Sequence, residues 1–113
     1  MRAVYQLKSN TSCLIAKLLG VSKDLRLYDF HHHKFKKEKN NNSKKICSKV
    51  LPILQKNIKN AVEEASIKLA KWEKQFFVEK NMIPTINDIT RGTEKTAYDK
   101  IKYGKRLLLM WNL

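Results

Sequence analysis

Lysine, arginine and tyrosine are interleaved near the carboxyl end of this chain, in a pattern that suits contact with phosphates. Tyr98 and Tyr103 stand among the cations, where an aromatic ring can stack on a base or a sugar. Aromatic residues in helices are more often packed against neighbouring helices, and packing is the favoured interpretation of both tyrosines. The cations predicted to contact nucleic-acid phosphates are Lys71, Lys74, Lys95, Lys102, Lys105 and Arg106.

The residue types that commonly catalyse reactions or bind metals are not grouped in this sequence. His31, His32 and His33 are consecutive within a lysine-rich segment, so a solvated segment is favoured over a metal site, and their role stays open. Cys13 and Cys47 lie far apart and form no CxxC pair. The chain has no GxxxxGK[ST] phosphate loop and no Ser/His/Asp or Cys/His arrangement. We therefore predict a non-enzymatic protein with no cofactor and no metal.

The charge balance points to a polyanionic partner. The 113 residues include 24 lysines and arginines against 10 acids, which gives a net charge of +14 and a pI of about 9.9. Such a balance favours nucleic acid, an acidic protein or an anionic membrane surface. The opening residues lack the apolar core of a secretion signal, and no stretch is long and apolar enough for a membrane span. We expect a nuclear or cytoplasmic protein that is not secreted and has no membrane partner.

Three segments differ in composition. Residues 1–30 show little periodicity and are predicted to be weakly structured, although a short helix ending at Gly20 is an alternative. Residues 31–47 are rich in lysine and asparagine and are predicted to form a disordered basic linker. For its lysines, a nuclear import signal, a phosphate-binding arm and a plain solvated run all stay open. Residues 48–113 are periodic and predicted to form a helical domain.

A long helix is predicted from Ser48 to about Lys80, with Pro52 in its first turn. Its first half, 51–62, is apolar on one stripe with little in the chain to cover it. A partner helix pairing through that stripe is therefore the alternative function, namely a protein–protein interaction module. The predicted structural core consists of Leu69, Trp72, Phe76, Pro84, Ile89 and Ile101.

Local signals predict how the later helices begin and end. Asn81 tolerates the left-handed conformation in which helices often end, and Pro84 prevents simple continuation. Thr85 and Asp88 have the spacing of a capping box, which predicts a short helix from Thr85 to Thr90.

The same logic continues toward the carboxyl end. Burial of Ile86 and Ile89 is expected in the short helix, with Gly92 ending it. Thr93 should cap a last helix, in which Gly104 allows close approach or a kink. The predicted fold class is therefore an all-α small helical bundle of a long helix, a short helix and a carboxyl-terminal helix.

Single residues across 67–106 carry a resemblance to a known family. They are Leu69, Trp72, Glu73, Phe76, Pro84, Asp88, Ile89, Glu94, Thr96, Tyr98, Lys100 and Lys102. The pattern resembles the Sld/Drc-type domain found at the amino terminus of the fourth RecQ-type DNA helicase and in yeast replication-initiation factors. The resemblance implies a homeodomain-like helical bundle that binds DNA and works with replication-initiation proteins in the nucleus. The missing phosphate loop predicts that the chain has no helicase activity of its own. The family turn reads Gly-Arg-x-Pro, whereas this chain has Asn81-Met82-Ile83-Pro84, and the segment after Thr96 is about two residues shorter.

Overall fold

The computed structural model describes residues 10–111, and every regular element in that range is an α-helix. The predicted all-α helical bundle is confirmed. None of the helices described is long and apolar enough to cross a lipid bilayer. Along the chain they are α1 (Asn10–Leu19), α2 (Ser22–Glu38), α3 (Asn41–Lys80), α4 (Ile86–Arg91) and α5 (Lys95–Trp111).

Helix α3 is the longest of the described helices, and α2 and α5 pack directly on it. At 1.5 Å per residue its 40 residues span about 60 Å, which matches the 59 Å long axis of a molecule that is 23 Å across. Helix α2 runs antiparallel to the first half of α3, where the Cys47 thiol donates to the Tyr28 carbonyl and the Asn57 amide donates to Asp24. Helix α5 returns along the second half, and α1 packs on both α2 and α5.

The predicted disordered linker, 31–47, is wrong: this segment is helical except for a two-residue turn. Val21, Leu25 and Tyr28 are buried at the i, i+4 and i+7 positions that share one helix face, so α2 has an apolar side to pack on α3. Lys39 reverses the chain in the left-handed conformation, with φ of 57°. The lysines do not prevent helix formation because most of them stay solvated while His31, His32 and Phe35 are half-buried.

The main hydrophobic core joins the first and third predicted segments into one bundle, and Cys47 of the second segment packs against it. Leu54 and Ile58 have no exposed surface at its centre. The expectation of weak structure is therefore wrong for residues 10–30, which form α1 and most of α2, while residues 1–9 lie outside the described residues. The buried members of this cluster are Ala16, Leu19, Val21, Leu25, Tyr28, Leu54, Ile58 and Leu107.

Helix α3 begins at Asn41, seven residues before the predicted start. The Asn40 side chain caps it by accepting a hydrogen bond from the Ser43 N–H at 3.1 Å. Pro52 lies inside α3 rather than in its first turn, and its side chain is exposed. The sequence signal for the true start was the Asn40–Ser43 spacing, which the lysine-rich composition obscured.

The other end of α3 follows the prediction. Helix α3 ends at Lys80, and Asn81 adopts the left-handed conformation with φ of 54°. Thr85 and Asp88 form the predicted capping box at the start of α4. Ile86, expected to be buried, is 64% exposed because the first residue of α4 faces solvent.

The connection from α4 to α5 departs from the predicted cap. Gly92 ends α4 as predicted, although with extended backbone angles. Helix α5 begins at Lys95, so Glu94, and not Thr93, precedes its first residue. The Glu94 side chain is buried at this helix start, where the positive end of the helix dipole favours a carboxylate.

A second, smaller core lies along the second half of α3. Leu69 is buried as predicted, whereas Trp72, Ile89 and Ile101 are half-buried around the cluster of Ala65, Leu69 and Ala97. Phe76 and Pro84 are half-buried and lie outside the cluster. The Phe76 ring packs on Trp72 with 5.3 Å between ring centroids. This half of the molecule therefore has much less buried apolar surface than the other half.

The stripe at 51–62 is covered within the chain. Leu54 and Ile58 are buried among residues of α1, α2 and α5, so this stripe offers no open face to a partner helix. The close approach predicted at Gly104 is confirmed, because a Cβ atom there would overlap the Val62 side chain. Glycine is required at this crossing of α5 over α3.

Candidate nucleic-acid interface

The turn between α2 and α3 gathers the densest positive charge of the chain. The segment 31–49 contains seven lysines and a single acid, Glu38. Lys34 is half-buried, and the other six lysines are exposed. We call this region the basic end. Its lysines are Lys34, Lys36, Lys37, Lys39, Lys44, Lys45 and Lys49.

A buried serine holds the two helices of the basic end together. Ser43 is 2% exposed, and a hydrogen bond of 3.1 Å joins its Oγ to Nδ1 of His31. The same serine donates its backbone N–H to the Asn40 cap. The lysines of the two helices are therefore presented from a fixed scaffold rather than from a flexible arm.

Aromatic rings position two of these lysines. The Lys34 ammonium lies 5.9 Å from the centroid of the Phe30 ring, and the Lys44 ammonium lies 5.6 Å from that of Phe35. Such contacts hold the side chain over the ring and leave the ammonium group open to water on its outer side. An ammonium held in this way remains available to an anion.

The start of α3 carries an open depression of about 550 Å³. Its lining residues are polar or cationic, although most of the surface that they present is apolar, as the aliphatic stems of lysines are, and Lys45 and Lys49 lie one helical turn apart along it. The free N–H groups at a helix start add a partial positive charge to this region. The lining residues are Asn41, Lys44, Lys45, Ser48 and Lys49.

The histidines contribute structure more clearly than charge. His31 holds Ser43, and the ring of His32 stacks on Tyr28 with 5.5 Å between centroids. The pKa of His32 lies below its usual value, chiefly because burial disfavours the charged ring and further because Lys36 repels it. Both effects favour the neutral form of the His32 ring. Within the described range no three His, Cys, Asp or Glu side chains converge on a possible metal position.

The six cations predicted from the sequence are all exposed, but they do not form one patch. Lys71 and Lys74 lie on the second half of α3, away from the basic end. Lys95 opens α5 and lies 3.9 Å from the Asp99 carboxylate. Lys102 rests over the ring of Tyr103 at 5.6 Å. These cations, with Lys105 and Arg106, are distributed along two helices.

The two tyrosines among these cations are half-buried on α5. Stacking on a base would need an exposed ring face, and the half-buried rings of these tyrosines are only partly accessible. The residues that sequence reasoning placed in a linker, by contrast, form the most concentrated cationic surface. The signal that could have found them was the apolar spacing within α2, which predicts a helix and hence a fixed position for the lysines.

Comparison with known proteins gives no match: no protein-family model fits the chain, and no characterised protein or solved structure is significantly similar to it.

Proposed function

We propose that this protein binds DNA through phosphate contacts made by the basic end. The observation that carries the proposal is the gathering of seven lysines and one acid on a single helical turn-around at the start of α3. A phosphate backbone is the common cellular polyanion with a charge spacing dense enough to engage several ammonium groups at once. The net charge of +14 adds long-range attraction to the same partner.

The geometry supports binding that is independent of base sequence. The basic end contributes ammonium groups, which contact phosphates as point charges without reading base edges. The start of α3 adds backbone N–H groups that favour an anion. Phosphate contacts position the protein on DNA, so the basic end would bind the DNA backbone without recognising the base sequence.

The biological setting of this binding is proposed from the resemblance of residues 67–106. On that basis the protein is a nuclear module that acts with replication-initiation proteins and has no helicase activity of its own. The cations of α3 and α5 that the sequence predicts to contact DNA, including Lys102 and Arg106, play a supporting role in this proposal. They extend the positive surface toward the middle of the molecule.

A salt titration tests the proposal. Binding of a labelled 20-base-pair duplex and of the matching single strand is followed by fluorescence anisotropy from 50 to 300 mM salt. We expect affinity to fall linearly on a log–log plot, with a steeper slope for the duplex, because bound phosphates release counterions. No binding at 50 mM, or affinity that does not change with salt, would overturn the proposal.

A competition with lipid separates DNA from the other anionic partner. Vesicles containing phosphatidylserine are added to the preformed DNA complex at equal total negative charge. We expect the DNA complex to persist, since the exposed apolar surface beside these lysines, chiefly the Phe30 ring, is small compared with the apolar face of a helix that enters a bilayer. Complete transfer to the vesicles would make a membrane surface the better partner.

A further inference from the structure

The end of the molecule opposite the basic end exposes a cluster of large apolar side chains. Five such residues lie within a ten-residue segment that covers the end of α3, the turn and the first residue of α4. Each is between 51% and 78% exposed. We call this region the apolar end. Its residues are Phe77, Val78, Met82, Ile83 and Ile86.

The backbone of the apolar end is fixed by hydrogen bonds on both sides of the turn. The Asn81 N–H donates to the Phe77 carbonyl at 2.7 Å, which closes the end of α3. The Thr85 N–H and hydroxyl both donate to the Asp88 carboxylate, at 2.8 and 2.9 Å. The apolar side chains are thus presented to solvent from a defined turn, which suits a contact surface.

The apolar end differs from the rest of the chain in charge. Residues 77–86 carry one acid and one cation, both exposed, while the whole chain has a net charge of +14. An anionic lipid or a nucleic acid gains no electrostatic attraction from a neutral surface. The two charged residues of this segment are Glu79 and Lys80.

We propose that two copies of this chain associate end to end through their apolar ends. Two molecules of charge +14 repel each other least when neutral surfaces meet and the basic ends point apart. A two-fold contact brings the same patch from each copy together, so adjacent opposite charges such as Glu79 and Lys80 can pair across it. A surface that is neutral and apolar and can pair its own charges is complementary to itself, so its partner in this proposal is a second copy of the chain.

The size of the contact predicts its strength. The molecule is 23 Å across, so an end-on contact covers about 400 Å² on each copy and about 800 Å² in total. Stable interfaces usually bury more than this, which predicts a weak dimer that depends on concentration. The dimer should be roughly twice the 59 Å length of one copy, with a basic end at each extremity.

The experiment combines sedimentation velocity and small-angle scattering on the full chain without DNA, from 10 μM to 1 mM. The variant Val78→Lys/Ile83→Lys places four additional cations in the proposed dimer contact. The control Ile53→Lys/Leu109→Lys makes the same charge change at residues that are also more than half exposed but lie outside the apolar end. Circular dichroism verifies that both variants keep the helix content of the unmodified chain.

We expect a dimer whose maximum dimension is near twice that of the monomer, a dissociation constant at least tenfold higher for the apolar-end variant, and a change below twofold for the control. Three results would each refute the proposal. They are a monomer throughout the concentration range, a dimer no longer than one copy, and an equal weakening by the control variant. Because DNA is absent from these measurements, they stand apart from the test of DNA binding.

Discussion

The two ends of α3 use apolar and charged residues in opposite ways. At the basic end, the apolar residues Phe35, Ile46 and Cys47 are half-buried and lysines cover the outside. At the apolar end, acids and cations balance while large apolar side chains stay exposed. One helix therefore has two roles along its length: its first half is a core element, and its last turns present a surface.

The buried residues follow the same division. The first half of α3 packs on α2 and α5, residues of α1 belong to the same core, and Leu54 and Ile58 have no exposed surface there. The second half packs mainly on α5, with Ile89 of the short α4 beside its core, and Trp72 is only half-buried. Stability and charge are thus concentrated in one half of the molecule. The other half is left with less to bury and more apolar surface for contact.

The largest effect should come from truncating the main core. Ile58→Ala is expected to lower the free energy of unfolding by about 3 kcal/mol, because a fully buried side chain leaves a cavity. Trp72→Ala is expected to cost about 1 to 2 kcal/mol, less than for a fully buried tryptophan, since its ring is already half exposed. Urea unfolding followed by circular dichroism measures both. A larger loss for Trp72→Ala than for Ile58→Ala would show that the main stabilising core lies along the second half of α3 and not along the first.

The parts of this fold that could be predicted from the sequence are those that a few adjacent residues determine. The end of α3 at Asn81 and the capping box at Thr85 were predicted correctly, because a few adjacent residues determine them. The start of α3 was missed, although Asn40 and Ser43 have the spacing of a helix cap. The lysine-rich composition around that cap predicted a disordered segment instead of a helix.

The candidate interface was less predictable than the helices. Which lysines gather depends on how α2 folds back onto α3, and this packing is determined by residues distant in sequence, such as His31 and Ser43. The helix face formed by Val21, Leu25 and Tyr28 was visible in the sequence but carried no information on its partner. The apolar end was also missed, because Ile86 was expected to be buried.

The second effect tests whether the two ends differ in DNA binding. The variant Lys44→Gln/Lys45→Gln/Lys49→Gln is expected to lower duplex affinity roughly 100-fold at 0.1 M salt, or about 2.7 kcal/mol. It should reduce the magnitude of the salt slope by about 2.7, since each lost phosphate contact contributes about 0.9. All three side chains are exposed, so the fold should persist. Fluorescence anisotropy across the salt series provides both numbers.

A matched control for that prediction lies on the same helix. Lys68→Gln/Lys71→Gln/Lys74→Gln removes the same charge from three exposed positions on the second half of α3. We expect an affinity change of only a few-fold, from the loss of general attraction. Equal losses for the two triple variants would mean that DNA lies along the whole of α3 and that Lys71 and Lys74 are contacts after all.

The smallest effect concerns the turn that presents the apolar end. Thr85→Ala removes the hydroxyl of the capping box and is expected to destabilise α4 by about 1 kcal/mol. Because α4 has six residues and little buried surface, the loss should appear as local fraying, with little change in the unfolding of the whole chain. Carbon chemical shifts of residues 86–91 measured by NMR report this fraying, and the shifts of α2 serve as the internal reference.

The same turn should respond to pH in a direction fixed by Asp88. Its pKa is held below the ordinary value of 3.8, chiefly because its carboxylate accepts the Thr85 backbone N–H and also the Thr85 hydroxyl. A carboxylate with a lowered pKa in the folded state stabilises the fold above its unfolded pKa, and this contribution is lost as pH falls through the folded value. The helical shifts of α4 should therefore decline below about pH 4, while those of the basic end stay unchanged. Asp88→Asn should remove this pH response. An unaltered response in that variant would assign it to another carboxylate and leave the capping box without a measurable part in holding the apolar end.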